Sequence, residues 1–183
     1  VNMQVKLEHL AYYDQLTGAS NRSRFLRTVE TTLGGNGGPV IPASLLIIDL
    51  DQFKEVNDAF GYAAGDALIA KVAQMLRDEL KDGESLARIG GDEFAIVSPT
   101  RLTVDSIASL AETILNKMAR PVRLPQGDIH TGCSIGIVML PQDARTTEDA
   151  VRNADLALYA AKKSGRGRFN FFANEMNEAA QRR

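Results

Sequence analysis

The sequence predicts an α/β domain of the α+β kind, a central mixed, mainly antiparallel sheet of about five strands flanked by helices. Three observations predict it. Ala43 to Leu50 (ASLLIIDL) is an unbroken apolar run with β-branched isoleucines, the pattern of a buried central strand. Ser85 to Ile89, Gly90-Gly91 and Asp92 to Ser98 read as strand, turn and strand. Between and after these lie segments whose apolar residues recur at helical spacing.

In chain order, Val1 to Tyr13 carries Val5, Leu7, Leu10 and Ala11 at loosely helical spacing, and residues 1–13 are expected to be a linker helix. The chain starts at Val1 rather than at a methionine, so this helix is expected to continue an upstream one. Asp14 to Gly18 reads as a turn. Asn21 suits the N-cap of a helix from Arg22 to about Leu33, which ends in GGNGGP. After the central strand, a short helix at about Gln52 to Phe60 is broken at Gly61. Gly65 and Asp66 open a longer helix with the stripe Leu68, Ile69, Val72, Met75, Leu76 and Leu80. The glycine pair after Ile89 is expected to supply positive φ angles to a tight turn. A helix from about Val104 to Met118 follows, then a strand from about Ile129 to Met139. A helix from Thr147 to Lys163, a strand from Arg168 to Phe172 and a helical tail complete the chain.

Composition narrows the function classes. The 183 residues suit one domain with a sizeable core. The formal charge is −2, so there is no general pull toward a nucleic acid polymer, and an anionic ligand needs locally placed cations. Cys133 stands alone, which excludes an intrachain disulfide and suits a reducing compartment. His9 and His130 cannot by themselves make a zinc site. No apolar run approaches the roughly 20 residues of a bilayer span. A soluble, cytoplasmic fragment without membrane contact is therefore expected, and a tether elsewhere in the parent protein stays open.

Asp49 and Asp51 close the central strand two residues apart, so their side chains point the same way. A carboxylate on so apolar a strand is costly unless it is hydrogen-bonded or holds a cation. For Asp51, capping the next helix and holding a cation are both open; for Asp49, deeper in the run, a metal role is expected. Asp92 and Glu93 sit where the glycine turn re-enters the sheet. They are either a solvated hairpin tip or, if the hairpin lies beside Asp49, part of a three-carboxylate cluster of hard oxygen donors suited to Mg²⁺.

ARIGGDEF resembles the signature of the GGDEF family of diguanylate cyclases. Other segments resemble further motifs of that family in order: DQLTGASNR, DLDQFKEVNDAFGYAAGD, SIGIV and ADLALYAAKKSGRGR. The resemblance runs from about Asp14 to Phe171, and residues 14–172 are expected to form the GGDEF domain. It implies a nucleotidyl-cyclase-like palm that condenses two GTP into cyclic di-GMP and pyrophosphate. Asp49 and the Leu50 carbonyl would hold Mg²⁺, or Mn²⁺ in its place, joined by Asp92 and Glu93. Asp92 would also accept the proton of the attacking hydroxyl. Asn57 and Asp66 would read the guanine edge, although both also suit helix ends and caps. Amides near Phe53 and Lys54, at a helix N-terminus, would meet the triphosphate. Lys162 and Arg166 would bind its β- and γ-phosphates, although cations also suit a helix C-terminus. Arg88 receives no catalytic role, and Ser134, Gly136 and the Leu158–Tyr159 pair are expected to be structural. A two-fold homodimer is implied, because each protomer offers one GTP.

Two departures from the family pattern stand out. Tyr62 follows Gly61 where the family has His. The family's RxxD product-inhibition motif is replaced by Lys81 and Glu84 (KDGE), a degenerate site expected to inhibit weakly, since lysine lacks arginine's planar fork. The tail, residues 173–183, resembles the helical connector to a C-terminal EAL phosphodiesterase domain. A catalytically silent GTP-binding module regulating such a domain is the alternative reading.

Overall fold

The computed structural model describes residues 3–182. The element order is α1 (Met3–Tyr12), α2 (Arg22–Thr32), β1 (Ala43–Leu50), α3 (Phe53–Phe60), α4 (Tyr62–Asp78), β2 (Ser85–Arg88), β3 (Glu93–Ser98) and α5 (Val104–Met118). There follow β4 (Val122–Leu124), β5 (Gly127–Ile129), β6 (Cys133–Leu140), α6 (Thr147–Lys163), β7 (Phe169–Phe171) and α7 (Asn174–Gln181). Five strands form the main sheet in the order β2-β3-β1-β6-β7, antiparallel except for the parallel β6–β7 pair. The apolar run of β1 is explained by its place: it is the central strand, buried at every position.

Alternation along β1 divides the core. Leu46, Ile48 and Leu50 pack on one face with Leu68, Ile69 and Val72 of α4 and Ile107 and Ile114 of α5. Leu45 and Ile47 pack on the other with Phe25 and Val29 of α2 and Ala150, Ala154 and Leu158 of α6. Gly136 on β6 lets α6 come close, since a Cβ there would lie 2.3 Å from the Ala154 carbonyl oxygen and 2.5 Å from the Leu158 nitrogen. Asn21 caps α2 as expected, its side chain accepting from the Arg24 amide.

Several expectations need correction. The longer helix opens at Tyr62, not at Gly65, with Gly61 at φ 91° as its N-cap. Gly65 lies inside the helix for reasons of space, treated below. The strand expected from Ile129 is two: β5 ends there, pairing with β4, and β6 begins at Cys133. Neither glycine of the hairpin has positive φ. The connection runs over Ile89–Asp92, closed by the Ile89 amide donating to the Glu93 carbonyl at 2.9 Å, and this longer turn does not need the primed geometry of a two-residue loop. Of the expected linker helix, residues 1 and 2 lie outside the described residues, as does Arg183 of the tail. No described helix is long and apolar enough to cross a membrane.

Candidate active site

The acidic centre follows from strand register. Asp49 lies directly opposite Glu93 in the β1–β3 pairing, so both side chains leave the same face of the sheet. The Leu50 amide donates to the Asp92 carbonyl at 3.1 Å, which draws the hairpin's last residue against the end of β1. Asp49 is 8% exposed, and Lys162, from the last turn of α6, donates to its Oδ2. Its Oδ1 is the one buried side-chain polar atom without a hydrogen-bond partner among the described residues. Burial raises the Asp49 pKa; the Lys162 hydrogen bond opposes this and the Asp92 charge adds to it. Burial also raises Glu93, reinforced by the charges of Asp49, Asp155 and Asp92.

These carboxylates therefore converge, and Asp155 on α6, the acid of the ADLALYAAKKSGRGR segment to which no role was given, belongs to their surroundings. Its own pKa is raised by burial against the pull of Arg22 and Lys162. Its place in that segment, seven residues and so about two turns of α6 before Lys162 on the same face, is the signal the sequence offers. The donors are all hard oxygens, the set a small divalent cation prefers. The orphaned Asp49 Oδ1 is a ready acceptor for such an ion. Among the described residues no group of three or more acidic, histidine or cysteine side chains is placed to hold a metal ion, so the three-carboxylate cluster expected from the sequence is not formed by these side chains as they stand. Water and phosphate oxygens would have to complete the shell.

Arg88 is the second residue whose part the sequence did not reveal. It grips the hairpin, donating to the Gly91 carbonyl from Nε at 3.2 Å and Nη2 at 2.8 Å. Its Nη1 also reaches Asp14 Oδ1 at 3.3 Å, so the Asp14–Gly18 turn and the acidic tip are tied through one guanidinium. At Gly90 a Cβ would come 3.0 Å from Glu93 Oε1, so a larger residue there would press on the Glu93 carboxylate.

The other motif residues surround the end of β1. Phe53 and Lys54 open α3, whose first internal amide bond is from Val56 to the Gln52 carbonyl, so the earlier amides face outward. Asn57 on α3 lies against α4, where a Cβ on Gly65 would stand 1.8 Å from its Oδ1. That contact sets Asn57 beside the turn carrying Asp66. Asp66 is exposed within α4 and does not cap it. Asp51 does not cap α3, which has no side-chain cap bond. Its buried carboxylate instead accepts from Ser134 Oγ at 2.9 Å and the Gly167 amide at 3.2 Å, and faces Arg166 Nη1 at 3.5 Å. Tyr62 is 81% exposed. Leu158 is core, but its neighbour Tyr159 is exposed and lines a groove of about 870 Å³ between α2 and α6, with Leu26, Val151, Leu156 and Asp155.

The model of the diguanylate cyclase GGDEF domain matches residues 11–168. The chain belongs to the GGDEF family. Over 96% of its length it is 35% identical to the bifunctional diguanylate cyclase/cyclic di-GMP phosphodiesterase MucR of Pseudomonas aeruginosa. Over another 96% span it is 34% identical to the cyclic di-GMP phosphodiesterase PdeR of Escherichia coli. The chain spans 26% of the length of each of these relatives. The solved GGDEF domain of TpbB from Pseudomonas aeruginosa superposes with a TM-score of 0.82 at 32% identity, covering 93% of this chain and 99% of that one.

In this GGDEF domain Lys81 is exposed, but the Glu84 side chain is committed within the fold. The Glu84 side chain is fully enclosed, accepting from Arg101 Nε at 2.7 Å, Ser98 Oγ at 2.6 Å and the Lys81 amide at 2.7 Å. Burial alone would raise its pKa, but the Arg101 and Ser98 hydrogen bonds outweigh that and hold it below the usual glutamate range. Every lone pair that could meet a nucleotide is already engaged in joining β2, β3 and the following loop.

Proposed function

We propose that this chain is a diguanylate cyclase domain that condenses two GTP into cyclic di-GMP and pyrophosphate. The observation that carries the reading is the register of Asp49 opposite Glu93, with an orphaned carboxylate oxygen on Asp49 and the Lys162 cation beside it. A satisfied structural cluster has no use for an unpartnered buried oxygen.

In this reading Asp49, the Leu50 carbonyl, Asp92 and Glu93 hold Mg²⁺ or Mn²⁺. When bound, such an ion offsets triphosphate charge and favours the ionised attacking hydroxyl. Outward amides of Phe53 and Lys54 and the side chains of Lys162 and Arg166 bind the phosphates; an arriving triphosphate gives Lys162 a second anionic partner beside Asp49. Asn57 and the Asp66 carboxylate meet the guanine edge, where an acceptor matches its N1–H and N2–H₂ donors and mismatches adenine. The 3′-oxygen of one GTP attacks the α-phosphorus of the other, and its proton passes to the Asp92 carboxylate. The bond to the β-phosphate oxygen breaks and pyrophosphate leaves; the reciprocal attack closes the ring. Two protomers related by a two-fold axis must bring their substrates face to face.

A second reading is a catalytically silent GTP-binding module serving an attached EAL phosphodiesterase domain. It is favoured by the likeness to PdeR, a relative named for phosphodiesterase activity. Incubation with GTP and Mg²⁺ followed by chromatography of the nucleotides separates the two. The cyclase yields cyclic di-GMP, and Asp92→Ala lowers the rate by about 10²-fold or more. GTP retained without turnover at protein concentrations that give a dimer supports the silent module.

A further inference from the structure

Among the described residues two that are not glycine have positive φ, Gln52 at 62° and Arg166 at 61°. Residues with a Cβ hold this region only where their surroundings impose it. Both adjoin one carboxylate. Gln52 follows Asp51 directly, and Gly167, next after Arg166, donates its amide to Asp51 Oδ2 at 3.2 Å.

Asp51 is itself fixed from several sides. Its amide donates to the Gly132 carbonyl at 3.0 Å, and its own carbonyl accepts from Thr131 Oγ1 at 2.5 Å. Its side chain is 7% exposed and sits where the end of β1, the β5–β6 connection and the α6–β7 loop meet. A buried carboxylate is costly unless it is paired and hydrogen-bonded. Helix capping does not explain it, because α3 takes no bond from a side-chain cap. Its partners do. Asp49 receives Lys162 at the end of α6, and Asp51, the next residue on the same side, faces Arg166 just beyond that helix.

We infer that Asp51 is a positioning residue, whose carboxylate holds the loop through Gly165–Gly167 so that Arg166 is presented to a triphosphate beside Lys162. The inference rests on the reading of Arg166 as a phosphate ligand given above. Asp51 does not touch substrate; it acts through the Gly167 amide and the Arg166 guanidinium.

Two measurements on Asp51→Ala and Asp51→Asn test it: hydrogen exchange of the Ser164–Arg168 peptide, and calorimetric titration with α,β-methylene-GTP and with GMP in Mg²⁺. In Asp51→Ala the loop exchanges faster and the triphosphate analogue binds about tenfold more weakly, as for a lost hydrogen bond to a charged group. GMP affinity stays unchanged. Asp51→Asn, which still offers one acceptor to the Gly167 amide, falls between, and it carries the test alone if the alanine variant does not fold. Adding Arg166→Ala to Asp51→Ala weakens binding no further than Arg166→Ala by itself. Unchanged loop exchange, or fully additive losses, overturns the inference. A wild-type chain that binds the triphosphate analogue no better than GMP sinks the phosphate-ligand reading instead, and the exchange result still decides whether Asp51 holds the loop.

Discussion

Glu84, just before β2, and Asp49, near the end of β1, are both enclosed carboxylates with a cation against them, yet they are built in opposite ways. Glu84 accepts from a guanidinium, a hydroxyl and an amide, and its pKa is held down. Asp49 has one lysine, a bare Oδ1 and acidic neighbours, and its pKa is pushed up. The first arrangement is what a buried charge needs in order to be stable; the second stays incomplete until something positive arrives. In the proposed reading, saturation of the lone pairs, more than burial or sign of charge, separates the structural acid Glu84 from the functional acid Asp49.

The largest effect expected from this contrast is on stability at Glu84. Glu84→Ala leaves the Arg101 guanidinium and Ser98 hydroxyl enclosed without their acceptor, and breaking such a buried pair costs about 3–5 kcal/mol. Urea unfolding measures it, and a loss below about 1 kcal/mol, the value of an exposed ion pair, would erase the distinction. Next comes Gly136→Ala. The added Cβ meets backbone atoms of α6 that cannot step aside singly, so about 1–3 kcal/mol is lost as α6 shifts. Because Lys162 ends that helix, weaker GTP binding should accompany the lower melting temperature. A variant that melts earlier yet binds GTP as before would show that the acidic centre tolerates movement of α6.

How much of this was legible in the sequence depends on whether the signal was local. Asn21 as a cap, the eight-residue apolar strand and the bounds of α5 and α6 could be read directly, because periodicity and capping chemistry lie within each segment. The convergence of Asp49 with Asp92 and Glu93 was legible only as a condition, that the hairpin lie beside β1. The register sets Asp49 opposite Glu93, while among the described residues no three such side chains are placed together to hold a metal ion. What escaped was decided across the fold. Gly65 reads as the opening of the long helix but sits inside α4, where Asn57 fills the space a Cβ would need. Asp51 reads as either a cap or a cation ligand, but its partners lie far along the chain, at Ser134 and Gly167. Glu84 reads as part of a degenerate ligand site, and only the fold shows Arg101 filling it. The β4–β5 pair, three residues each between Pro121 and His130, is too short to show alternation.

Acid sharpens the comparison with a smaller effect. A carboxyl whose pKa is lower in the folded chain than in the unfolded one binds fewer protons when folded, so its stabilisation is present above the ordinary glutamate pKa. That stabilisation is lost as pH falls through the lowered value. Glu84 is such a group. Unfolding free energy followed between neutral pH and strong acid should therefore drop more steeply for wild type than for Glu84→Gln, and the two curves should approach each other at the acid end. Parallel curves would mean that Arg101 does not hold Glu84 ionised.

The smallest stability change belongs to the residue on which the proposed reaction depends most. Asp49→Asn removes a charge that is buried, incompletely paired and close to two other acids, while Lys162, whose side chain is 29% exposed, can turn toward water. Relief of repulsion and loss of the ion pair nearly cancel, leaving a change within about 1 kcal/mol that is more often a gain, as at other strained functional sites. Cyclic di-GMP formation should nevertheless fall below detection in the same preparation. A large destabilisation in Asp49→Asn would place Asp49 with Glu84 among the structural acids and remove the physical ground for a cation at the end of β1.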